Sequence, residues 1–386
     1  MIGWEEYKLG NLVEIGRGAS PRPIKNYVTD KPGIPWVKIA DATKSINKYI
    51  EKTNEYIVEE GRRKTVYPGE LIVSNSATPG IPKLMKIEAC VHDGWLVFDE
   101  YKNIKILYLY YFFLDYRRIL VHSASGTVFK NLTTEIVKNV KINLPPLKEQ
   151  KAIAKVLTVF DDKIELLQEQ NKTLETMAQT IIKEWFGKYQ IGDELPKGWR
   201  VGKLGDVIDI FDSKRVPLSK GQREAMSGDY RYYGATKVMD YVNDYLFDGI
   251  YLLFAEDGSV MDEDGYPFLQ YVWGKFWVNN HTHILKGKNS FSTELIYVLC
   301  KKMKVTAIVT GAVQLKINQG NLLSKEIVIP NDFILEKADK TIQPLFNKLR
   351  INSSQIQSLT KTKDTLLPKL MSGQIRVNNI KQTANA

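Results

Sequence analysis

An internal repeat constrains the fold of this chain more than any other feature of its sequence. The Gly-Trp and Lys-Leu-Gly pairs of segment 3–10 recur in segment 198–205. Further matches join 125–128 to 310–313 and 144–145 to 329–330. Each repeat ends in a proline that a long helical pattern follows. Because a repeat of this length builds one unit twice, we expect the order globular block, helix, globular block, helix.

The breaks in the repeat predict four segments. They are a first globular domain at 1–145, a central helix at 146–190, a second globular domain at 191–330, and a carboxy-terminal helix with its tail at 331–386. Short aromatic and β-branched runs between turn residues predict strands in both globular blocks, with helices near 106–120 and 293–304. The fold class is therefore α+β: two mixed α/β domains separated by two long antiparallel coiled-coil helices, related as a pseudo-twofold tandem repeat.

The two long helices carry a hydrophobic repeat of 3.5 residues. Apolar residues alternate at spacings of four and three from Ile153 to Trp185. The same positions of the second copy run from Ala338 to Leu370, and Lys363 is the poorest fit among them. Such a period predicts a coiled-coil seam. The repeated span of about 33 residues would make a rod of about 50 Å.

One polar seam position in each helix predicts how the two helices align. If they pack antiparallel about the midpoint of 153–185, then Asn171 meets Asn352 and Trp185 meets Ala338. A buried asparagine pair lowers stability but fixes the register of a coiled coil. The alternative is that each asparagine faces solvent where the seam loosens.

Charge is distributed unevenly along the chain. The net charge of +10 comes from 54 Lys and Arg against 44 Asp and Glu. Half of this excess lies in 1–150 and half in 331–386, whereas 191–330 is neutral. A basic balance suits a polyanion such as DNA, although acidic lipid or an ordinary surface would fit it too.

Cysteine content and the amino terminus predict the compartment. Cys90 and Cys300 are too few for a disulfide framework, so we expect a reducing environment. No basic and then apolar signal pattern is visible at the start, and the longest apolar run, 106–114, is too short for a membrane helix. The expected location is the cytoplasm.

Motifs for catalysis and metal binding are weak. Gly16-Arg17-Gly18 precedes two prolines that block the helix a nucleotide-binding loop needs. Cys90-Val91-His92 and His281-Thr282-His283 resemble metal-ligand pairs, but neither has a second pair at zinc spacing. The acidic stretch 257–265 does not match a calcium loop and is better interpreted as a solvated turn. We therefore predict no catalytic residue and no metal site.

The chain resembles a known family over nearly its whole length. Leu-Pro-Pro-Leu-Lys-Glu-Gln-Lys-Ala-Ile-Ala at 144–154, with Phe-Asp-Asp-Lys-Ile at 160–164, resembles the central region of the specificity subunit of type I restriction–modification systems. Other segments that resemble this family are 9–18, 36–41, 68–72, 232–236, 277–281 and 366–373. The second copy departs from the central motif at 329–332, which has lost a Pro, the Glu and the Gln. That departure leaves open whether both copies dock partners in the same way.

The resemblance implies a non-catalytic subunit with two target-recognition domains. Each domain would read one half of a split, asymmetric site in double-stranded DNA. The two helices would hold these domains apart and dock two modification (methyltransferase) subunits, which methylate adenine, and restriction subunits would join the full complex. S-adenosylmethionine, ATP and magnesium would bind those partners, and no cofactor would bind this chain.

Helix length agrees with a bipartite DNA site. A rod of about 50 Å corresponds to about 15 base pairs, and readers on one face of DNA usually lie about one turn apart. We therefore expect half-sites of a few base pairs around an unread gap of one half to one turn. Because the two blocks differ in sequence, the site should not be a palindrome.

Residue type and loop position suggest which side chains contact DNA, since polar side chains read bases and cations hold phosphates. In the first block the candidates are Arg17, Ser20, Arg22, Ser74, Asn75, Ser76 and Thr78, with Arg62, Arg63 and Lys64 as phosphate clamps. In the second block they are Lys214, Arg215, Tyr232, Tyr233, Thr236, Asn280, His281 and His283. The ordinary interpretation is that the cations are solvated surface and that the tyrosine pair is half-buried packing.

Three other functions remain open from sequence. The chain could be the specificity partner of a related bipartite system with a fused nuclease and methyltransferase. It could be a coiled-coil scaffold that joins two domains not directed at DNA. It could also be an enzyme whose site the motifs do not reveal.

Overall fold

The computed structural model describes residues 3–44, 47–123, 132–311 and 314–377. The chain divides into two compact units, Met1–Gln168 with Ser354–Ala386, and Glu169–Ser353. We call these unit 1 and unit 2. The repeat match at 125–128, part of its partner at 310–313, and the tail after 377 lie outside the described residues.

Unit 1 begins with a globular domain of strands and three helices. Its strands are β1 (Glu5–Lys8), β2 (Glu14–Arg17), β3 (Val28–Thr29), β4 (Ile34–Val37), β5 (Tyr49–Ile50), β6 (Glu55–Ile57), β7 (Thr65–Val66), β8 (Leu71–Ser74), β9 (Pro82–Met85), β10 (Ala89–Val91), β11 (Trp95–Asp99) and β12 (Lys141–Leu144). Its helices are α1 (Ile39–Lys44), α2 (Ile106–Ser123) and α3 (Thr134–Asn139).

The long helix α4 (Leu147–Trp185) follows, and unit 2 holds its second half. The strands of unit 2 are β13 (Arg200–Lys203), β14 (Ile208–Ile210), β15 (Ser227–Tyr233), β16 (Val238–Val242), β17 (Phe247–Ala255), β18 (Leu269–Val278), β19 (Thr282–Gly287) and β20 (Glu326–Ile329). Its short helices are α5 (Lys220–Ala225), α6 (Thr293–Lys301) and α7 (Gln319–Ser324), and the second long helix is α8 (Asp332–Met371).

Two five-stranded sheets form the body of the first domain. Their strand orders are β2-β11-β8-β9-β5 and β3-β6-β4-β10-β7, and β1 pairs separately with β12. Strand β11 alternates two buried faces, since Leu96 and Phe98 pack towards α2 while Trp95 and Val97 pack in a second cluster. A strand buried on both faces has a continuous apolar sequence, as Trp-Leu-Val-Phe does here.

One six-stranded sheet, of order β14-β19-β17-β18-β15-β16, forms the body of the second domain. Leu252, Phe254 and Leu285 pack with α6 and with the unit 2 portions of both long helices. The opposite face carries its own aromatic cluster, in which Phe247 stacks on Phe276 at a ring separation of 5.3 Å. Strand β13 pairs with β20 as β1 pairs with β12, so each repeat closes on its own first strand.

One sheet of each unit contains the same order of four strands. It is β2-β11-β8-β9 in unit 1 and β14-β19-β17-β18 in unit 2. An equivalent backbone hydrogen bond in each sheet shows which residues correspond. The Asn75 amide donates to the Gly94 carbonyl at 2.8 Å, and the Glu256 amide donates to the His281 carbonyl at 3.0 Å. Asn75 is therefore the counterpart of Glu256, and Asp93, one residue before Gly94, is the counterpart of Asn280.

The long helices run antiparallel within each unit. In unit 2, Gln170 bonds to Asn352 while Lys337 lies over the ring of Trp185 at 5.1 Å. In unit 1, the Lys363 ammonium donates to the Asp161 carboxylate at 2.7 Å. This ion pair explains how a lysine is accommodated at the poorest seam position.

The expected bond between the two seam asparagines is replaced by bonds to their neighbours. Asn171 Nδ2 donates to Ser353 Oγ at 3.0 Å, and Asn352 Nδ2 donates to Gln170 Oε1 at 3.3 Å. The helices are thus aligned about the expected midpoint, but each amide finds an acceptor one residue away from the other asparagine. Both Oδ1 atoms are buried without a hydrogen-bond partner in the described structure. The direct Asn171–Asn352 bond is therefore corrected to this four-residue polar layer.

Within the described residues, no helix combines the length and the apolar character needed to cross a bilayer.

Candidate nucleic-acid interface

Three loops of the first domain meet at one turn. They are 17–22 after β2, 74–78 after β8, and 92–95 before β11, and we call this place the first loop corner. The Arg17 Nε donates to the Asp93 carbonyl at 2.7 Å. The Asn75 Nδ2 donates to the same carbonyl at 3.0 Å. Two loops that are far apart in sequence are thus held by one backbone oxygen.

The Asp93 carboxylate holds the first of these loops a second time. Ser20 Oγ donates to one carboxylate oxygen at 2.8 Å, and the Arg22 guanidinium contacts the other at 3.3 Å. The Ser20 hydrogen bond, with help from the Arg22 charge, lowers the pKa of Asp93 below its usual value. The carboxylate is therefore ionised at neutral pH and binds donors only.

Close packing leaves the turn little freedom. A Cβ on Gly18 would lie 2.1 Å from the His92 carbonyl oxygen, and one on Gly94 would lie 2.1 Å from His92 Cε1. Burial lowers the pKa of His92, and its Nδ1 accepts a hydrogen bond from the Gly94 amide at 2.8 Å. His92 is thus a histidine that shapes this turn.

The predicted first-domain readers differ in exposure. Arg17 and Arg22 are exposed, while Ser20, Ser76 and Thr78 are partly exposed. Asn75 is buried and its side-chain amide binds the Asp93 carbonyl, so its prediction as a DNA contact is corrected to a role in joining the loops. Ser74 is fully buried, accepts from the Ile81 amide and donates to the Thr78 carbonyl, so its prediction as a DNA contact is corrected to a loop-shaping role. Sequence could not separate it from its neighbours, because one step along a strand decides which face a side chain takes.

The three predicted phosphate clamps are not equivalent. Arg62 lies between Glu59 and Glu88, with nitrogen–oxygen distances of 2.6 and 2.9 Å. Its hydrogen bonds to those carboxylates raise the pKa of Arg62 and neutralise its charge locally. Arg63 is exposed and Lys64 is partly exposed. Arg62 is therefore already paired within the protein, and the clamp roles of Arg63 and Lys64 remain predictions.

The second domain builds the same corner from different side chains. The second loop corner consists of 211–215 after β14, 255–257 after β17, and 279–283 around the start of β19. The Arg215 guanidinium donates to the Glu256 carboxylate at 2.6 Å and to the Thr282 carbonyl at 2.9 Å. It also contacts the Asn280 carbonyl at 3.2 Å. Arg215 therefore joins the loops of its corner, as Asp93 does in the first domain.

His283 belongs to the core of this corner. It is 1 % exposed, its Nδ1 lies 2.6 Å from the Asp212 carboxylate, and its Nε2 lies 2.8 Å from the Ile317 carbonyl. Asp212, Glu256 and His283 are close enough to hold a metal ion. The Arg215 guanidinium already pairs with both carboxylates, however, so the cation of this cluster is a side chain. His283 as a DNA contact is corrected to a buried ion-network residue.

The tyrosine pair is also internal. Tyr232 is 1 % exposed, and its hydroxyl accepts from the Leu218 amide at 3.0 Å. Tyr233 is 7 % exposed and packs edge-on against Phe276. Both predicted DNA contacts are corrected to packing residues, because a tyrosine whose hydroxyl reaches a polar group inside the protein needs no surface position.

Four predicted second-domain residues remain at the surface. They are Lys214, Thr236, Asn280 and His281. His281 is oriented by Asp257, whose carboxylate lies 2.6 Å from its Nδ1. Sequence reasoning assigned Asp257 to a solvated turn and did not single out Asp93, Asp212 or Glu256. Their only sequence signal is an acidic residue within two positions of a strand end.

The central sequence motif ties the first domain to α4. Glu149 accepts from the Trp4 indole at 3.1 Å and pairs with Arg376 at 2.6 Å. Gln150 is fully buried and accepts from the Lys105 amide at 2.9 Å. In the second copy, Leu335 is buried in the hydrophobic core at the position of Gln150. The departure of the second copy therefore replaces polar ties with apolar packing.

Comparison with known proteins gives the family. The model of the type I restriction modification DNA specificity domain matches residues 1–176 and again 196–361. The MjaIX specificity subunit of Methanocaldococcus jannaschii is 28% identical, over 98% of this chain and 94% of that protein. The HindI specificity subunit of Haemophilus influenzae is 22% identical, over 97% of this chain and 100% of that protein.

Solved structures agree on the fold. The S subunit of a type I restriction-modification system from M. genitalium superposes with a TM-score of 0.58 at 16% identity, covering 96% of each chain. The same family model matches this chain twice, and the two matched regions share strand order and loop corners. Both observations identify one family. The chain belongs to the family of type I restriction–modification specificity subunits, with two DNA specificity domains and two long helices.

Proposed function

We propose that this non-catalytic subunit reads a bipartite, asymmetric DNA site with its two loop corners, one half-site for each domain. The observation that carries this is the shared corner: equivalent strands deliver equivalent loops, yet the exposed donors differ. Arg17 and Arg22 are exposed in the first domain, and Asn280 and His281 are exposed in the second. Arginine, asparagine and histidine donors suit base edges, and two different sets suit two different half-sites.

Methylome mapping of cells that carry the subunit with its modification partner tests this proposal. The expected result is methylated adenine within a split motif of two unlike halves around a fixed gap. The double variant Arg17→Ala/Arg22→Ala should then relax only one half, and Asn280→Ala/His281→Ala only the other. A motif in one block, or variants that alter both halves alike, would contradict the assignment of one corner to each half-site.

We further propose that α4 and α8 set the gap. The two helices have 39 and 40 residues, or about 60 Å each at about 1.5 Å per residue. One heptad inserted after Gln168 and one after Ser353 would lengthen both helices at the boundary between the units. The gap should grow by about three base pairs while both half-site sequences stay the same. Inserting a heptad into α4 alone is the control, and it should disrupt the helix pair.

We propose that two methyltransferase subunits dock on these helices. In unit 1, α4 exposes Val159 and Leu166, which are 60% and 51% exposed. In unit 2 it exposes Met177 beside Thr173 and Thr180, whose hydroxyls donate to carbonyls one turn back and so present their methyl groups. Exposed apolar helix faces of this kind suit a protein partner.

Charge placed on these faces tests the docking. Leu166→Glu and Met177→Glu should each weaken binding of one methyltransferase subunit in analytical ultracentrifugation, so that complexes with a single partner accumulate. Lys183→Glu is the control, since Lys183 is exposed on α4 and lies about 120° around the helix axis from Met177. Full binding of two partners by both apolar-face variants would place the docking surface elsewhere.

The cofactors of the complex would bind the partner subunits and not this chain. We propose that S-adenosylmethionine binds the methyltransferase subunits, that ATP and magnesium bind the restriction subunits, and that the complex works in the cytoplasm, where Cys90 and Cys300 stay reduced. Calorimetric titration of S-adenosylmethionine into this chain alone and into its complex separates the sites. If the partner instead proves to be one polypeptide with nuclease and methyltransferase activities, the chain serves that related bipartite system.

A further inference from the structure

The first loop corner depends on one residue that contacts four of the predicted readers, two through its carboxylate and two through its backbone carbonyl. Asp93 accepts from Arg17 and Asn75 with its carbonyl oxygen and from Ser20 and Arg22 with its carboxylate. Backbone bonds add to this arrangement, since the Asn75 amide donates to the Gly94 carbonyl at 2.8 Å. No other residue of the described first domain links the loops after β2 and β8 in this way.

The arginines that Asp93 holds keep most of their donors. Arg17 uses its Nε for the Asp93 carbonyl, and Arg22 uses one terminal nitrogen for the carboxylate. A guanidinium carries five N–H donors, so each side chain retains a free pair for a second contact. The Arg22 side chain is 77% exposed. Fixing one nitrogen and leaving two outward is the geometry that a bidentate contact to guanine requires.

Asp93 itself is poorly suited to touch DNA. Both carboxylate oxygens already accept from side chains, and an ionised carboxylate repels the phosphate backbone. A direct contact to a cytosine amino group would need one of those oxygens to exchange partners. The charge is more useful where it is, because a carboxylate paired with Arg22 orders that guanidinium before binding, while the backbone carbonyl of the same residue holds Arg17.

We propose that Asp93 is the positioning residue of the first half-site, which orders Arg17 and Arg22 to read at least one guanine. The inference rests on the proposed role of the loop corners in DNA reading and adds the base class and the residue that controls it. The Asp93→Asn variant keeps the shape and the carbonyl contact to Arg17, and it loses the charge that pairs with Arg22. Preference for guanine at one position of the first half-site should then fall about tenfold or more.

The experiment uses the complex of full-length chain and methyltransferase subunit with a DNA library randomised at both half-sites. Sequencing of bound DNA gives the preference at every position. Asp93→Asn should reduce preference at one guanine while the second half-site is unchanged, and Asp93→Glu should restore part of it. Asp30→Asn, an exposed aspartate of the same domain, is the matched control. The intact second half-site reports that the complex is folded.

Each outcome separates two failures. If Arg17→Ala and Arg22→Ala relax the first half-site but Asp93→Asn does not, the positioning role is overturned while the interface stands. If neither arginine variant changes any position, the first loop corner is not the reading surface and the proposed function of that corner fails. A uniform loss across the whole first half-site in Asp93→Asn would show a structural role only.

Discussion

The two loop corners share a backbone arrangement but differ in where the acidic residue lies. Each corner has a carboxylate at the position where the other has a side-chain amide. In the first domain the acid is Asp93, on the turn before β11, and its neighbour across the corner is the amide Asn75. In the second domain the counterpart of Asp93 is Asn280, and the counterpart of Asn75 is the acid Glu256. The cation moves accordingly, from exposed Arg22 to half-buried Arg215.

This exchange shows how one fold can present two different sets of surface side chains. The strands and the backbone bonds between loops are kept, so the position of the corner is fixed by topology. Moving the carboxylate from the outer turn to the inner strand end turns the ion network inward. The first corner therefore exposes Arg17 and Arg22, whereas the second exposes Lys214, Asn280 and His281.

The largest expected difference between the corners concerns stability. Arg215→Ala leaves Glu256 and Asp212 as buried carboxylates, since their side chains are only 12% and 10% exposed. Loss of one partner from such a network costs about 3–5 kcal/mol. In the first corner, Ser20→Ala removes one half-exposed hydrogen bond and should cost about 1 kcal/mol or less.

Hydrogen exchange measures both effects in the same chain. Amides of β14 and β19 should lose protection in Arg215→Ala, whereas those of β2 and β11 should change little in Ser20→Ala. Arg215→Lys is the control that keeps the charge but not the fork of donors. Equal losses of amide protection in the two variants would mean that the deeper burial of the second corner does not add to its stability.

The helix starts provide the next contrast. Gln150 in α4 satisfies the Lys105 amide and the Asn103 and Pro145 carbonyls, whereas Leu335 in α8 is packed among apolar residues. Gln150→Leu would leave those three backbone groups unpaired and should lower the free energy of unfolding of unit 1 by about 2–3 kcal/mol. Leu335→Gln should destabilise unit 2 by a similar amount, because a buried amide gains no partner.

Denaturant unfolding followed by hydrogen exchange assigns each loss to its unit. Lys148→Ala, at an exposed position two residues from Gln150, should change stability by less than about 0.5 kcal/mol. If Gln150→Leu were as stable as the parent chain, the polar and apolar helix starts would be interchangeable, and the central motif would need another explanation.

Local patterns were enough to predict the architecture. The repeat, the prolines before each helix and the 3.5-residue period predicted the strand-rich domains and the two long antiparallel helices. The antiparallel alignment that would place Asn171 opposite Asn352 also predicted which residues of the two helices face each other. These features depend on residues near one another in sequence or on a strict period, which one chain displays without any alignment.

The corners were only partly predictable, because their partners lie far apart in sequence. The loops containing Arg17, Asn75 and Asn280 were found from strand ends and residue type. The partner Asp93 is separated from Arg17 by 76 residues, and no local pattern joins them. Burial was misjudged for Tyr232 and His283 for the same reason, since their polar atoms are satisfied by Leu218 and Asp212 from other segments.

A buried cation in β9 of the first domain has a neutral counterpart in β18 of the second. Lys83 in β9 is 4% exposed and donates to the Asn47 carbonyl, and Gln270 in β18 donates likewise to the Gly234 carbonyl at 2.8 Å. Burial lowers the pKa of Lys83 to about 8. The unfolded chain then holds more protons than the folded chain between pH 8 and the usual lysine pKa of about 10.4, so stability rises with pH in that window.

Lys83→Gln copies the second-domain solution and should remove this dependence. Between pH 7.5 and 9.5 the parent chain should gain about 1–2 kcal/mol relative to the variant, measured by urea unfolding of unit 1. Lys86→Gln, at an exposed lysine of the same sheet region, should leave the pH profile of the parent unchanged. A parallel pH profile for the parent chain and Lys83→Gln would contradict a lowered pKa at Lys83.

The smallest expected effects concern non-specific affinity for DNA, where the first domain carries the excess charge. Arg63→Ala and Lys64→Ala should each weaken binding to all sequences and reduce the slope of log affinity against log salt by about 0.9. Arg62→Ala should leave that slope unchanged, because Glu59 and Glu88 already neutralise Arg62. Fluorescence anisotropy across a salt series measures all three slopes. A loss of affinity confined to one base would show that Arg63 or Lys64 reads sequence. An equal reduction of the slope in Arg62→Ala would show that Arg62 leaves Glu59 and Glu88 to bind DNA.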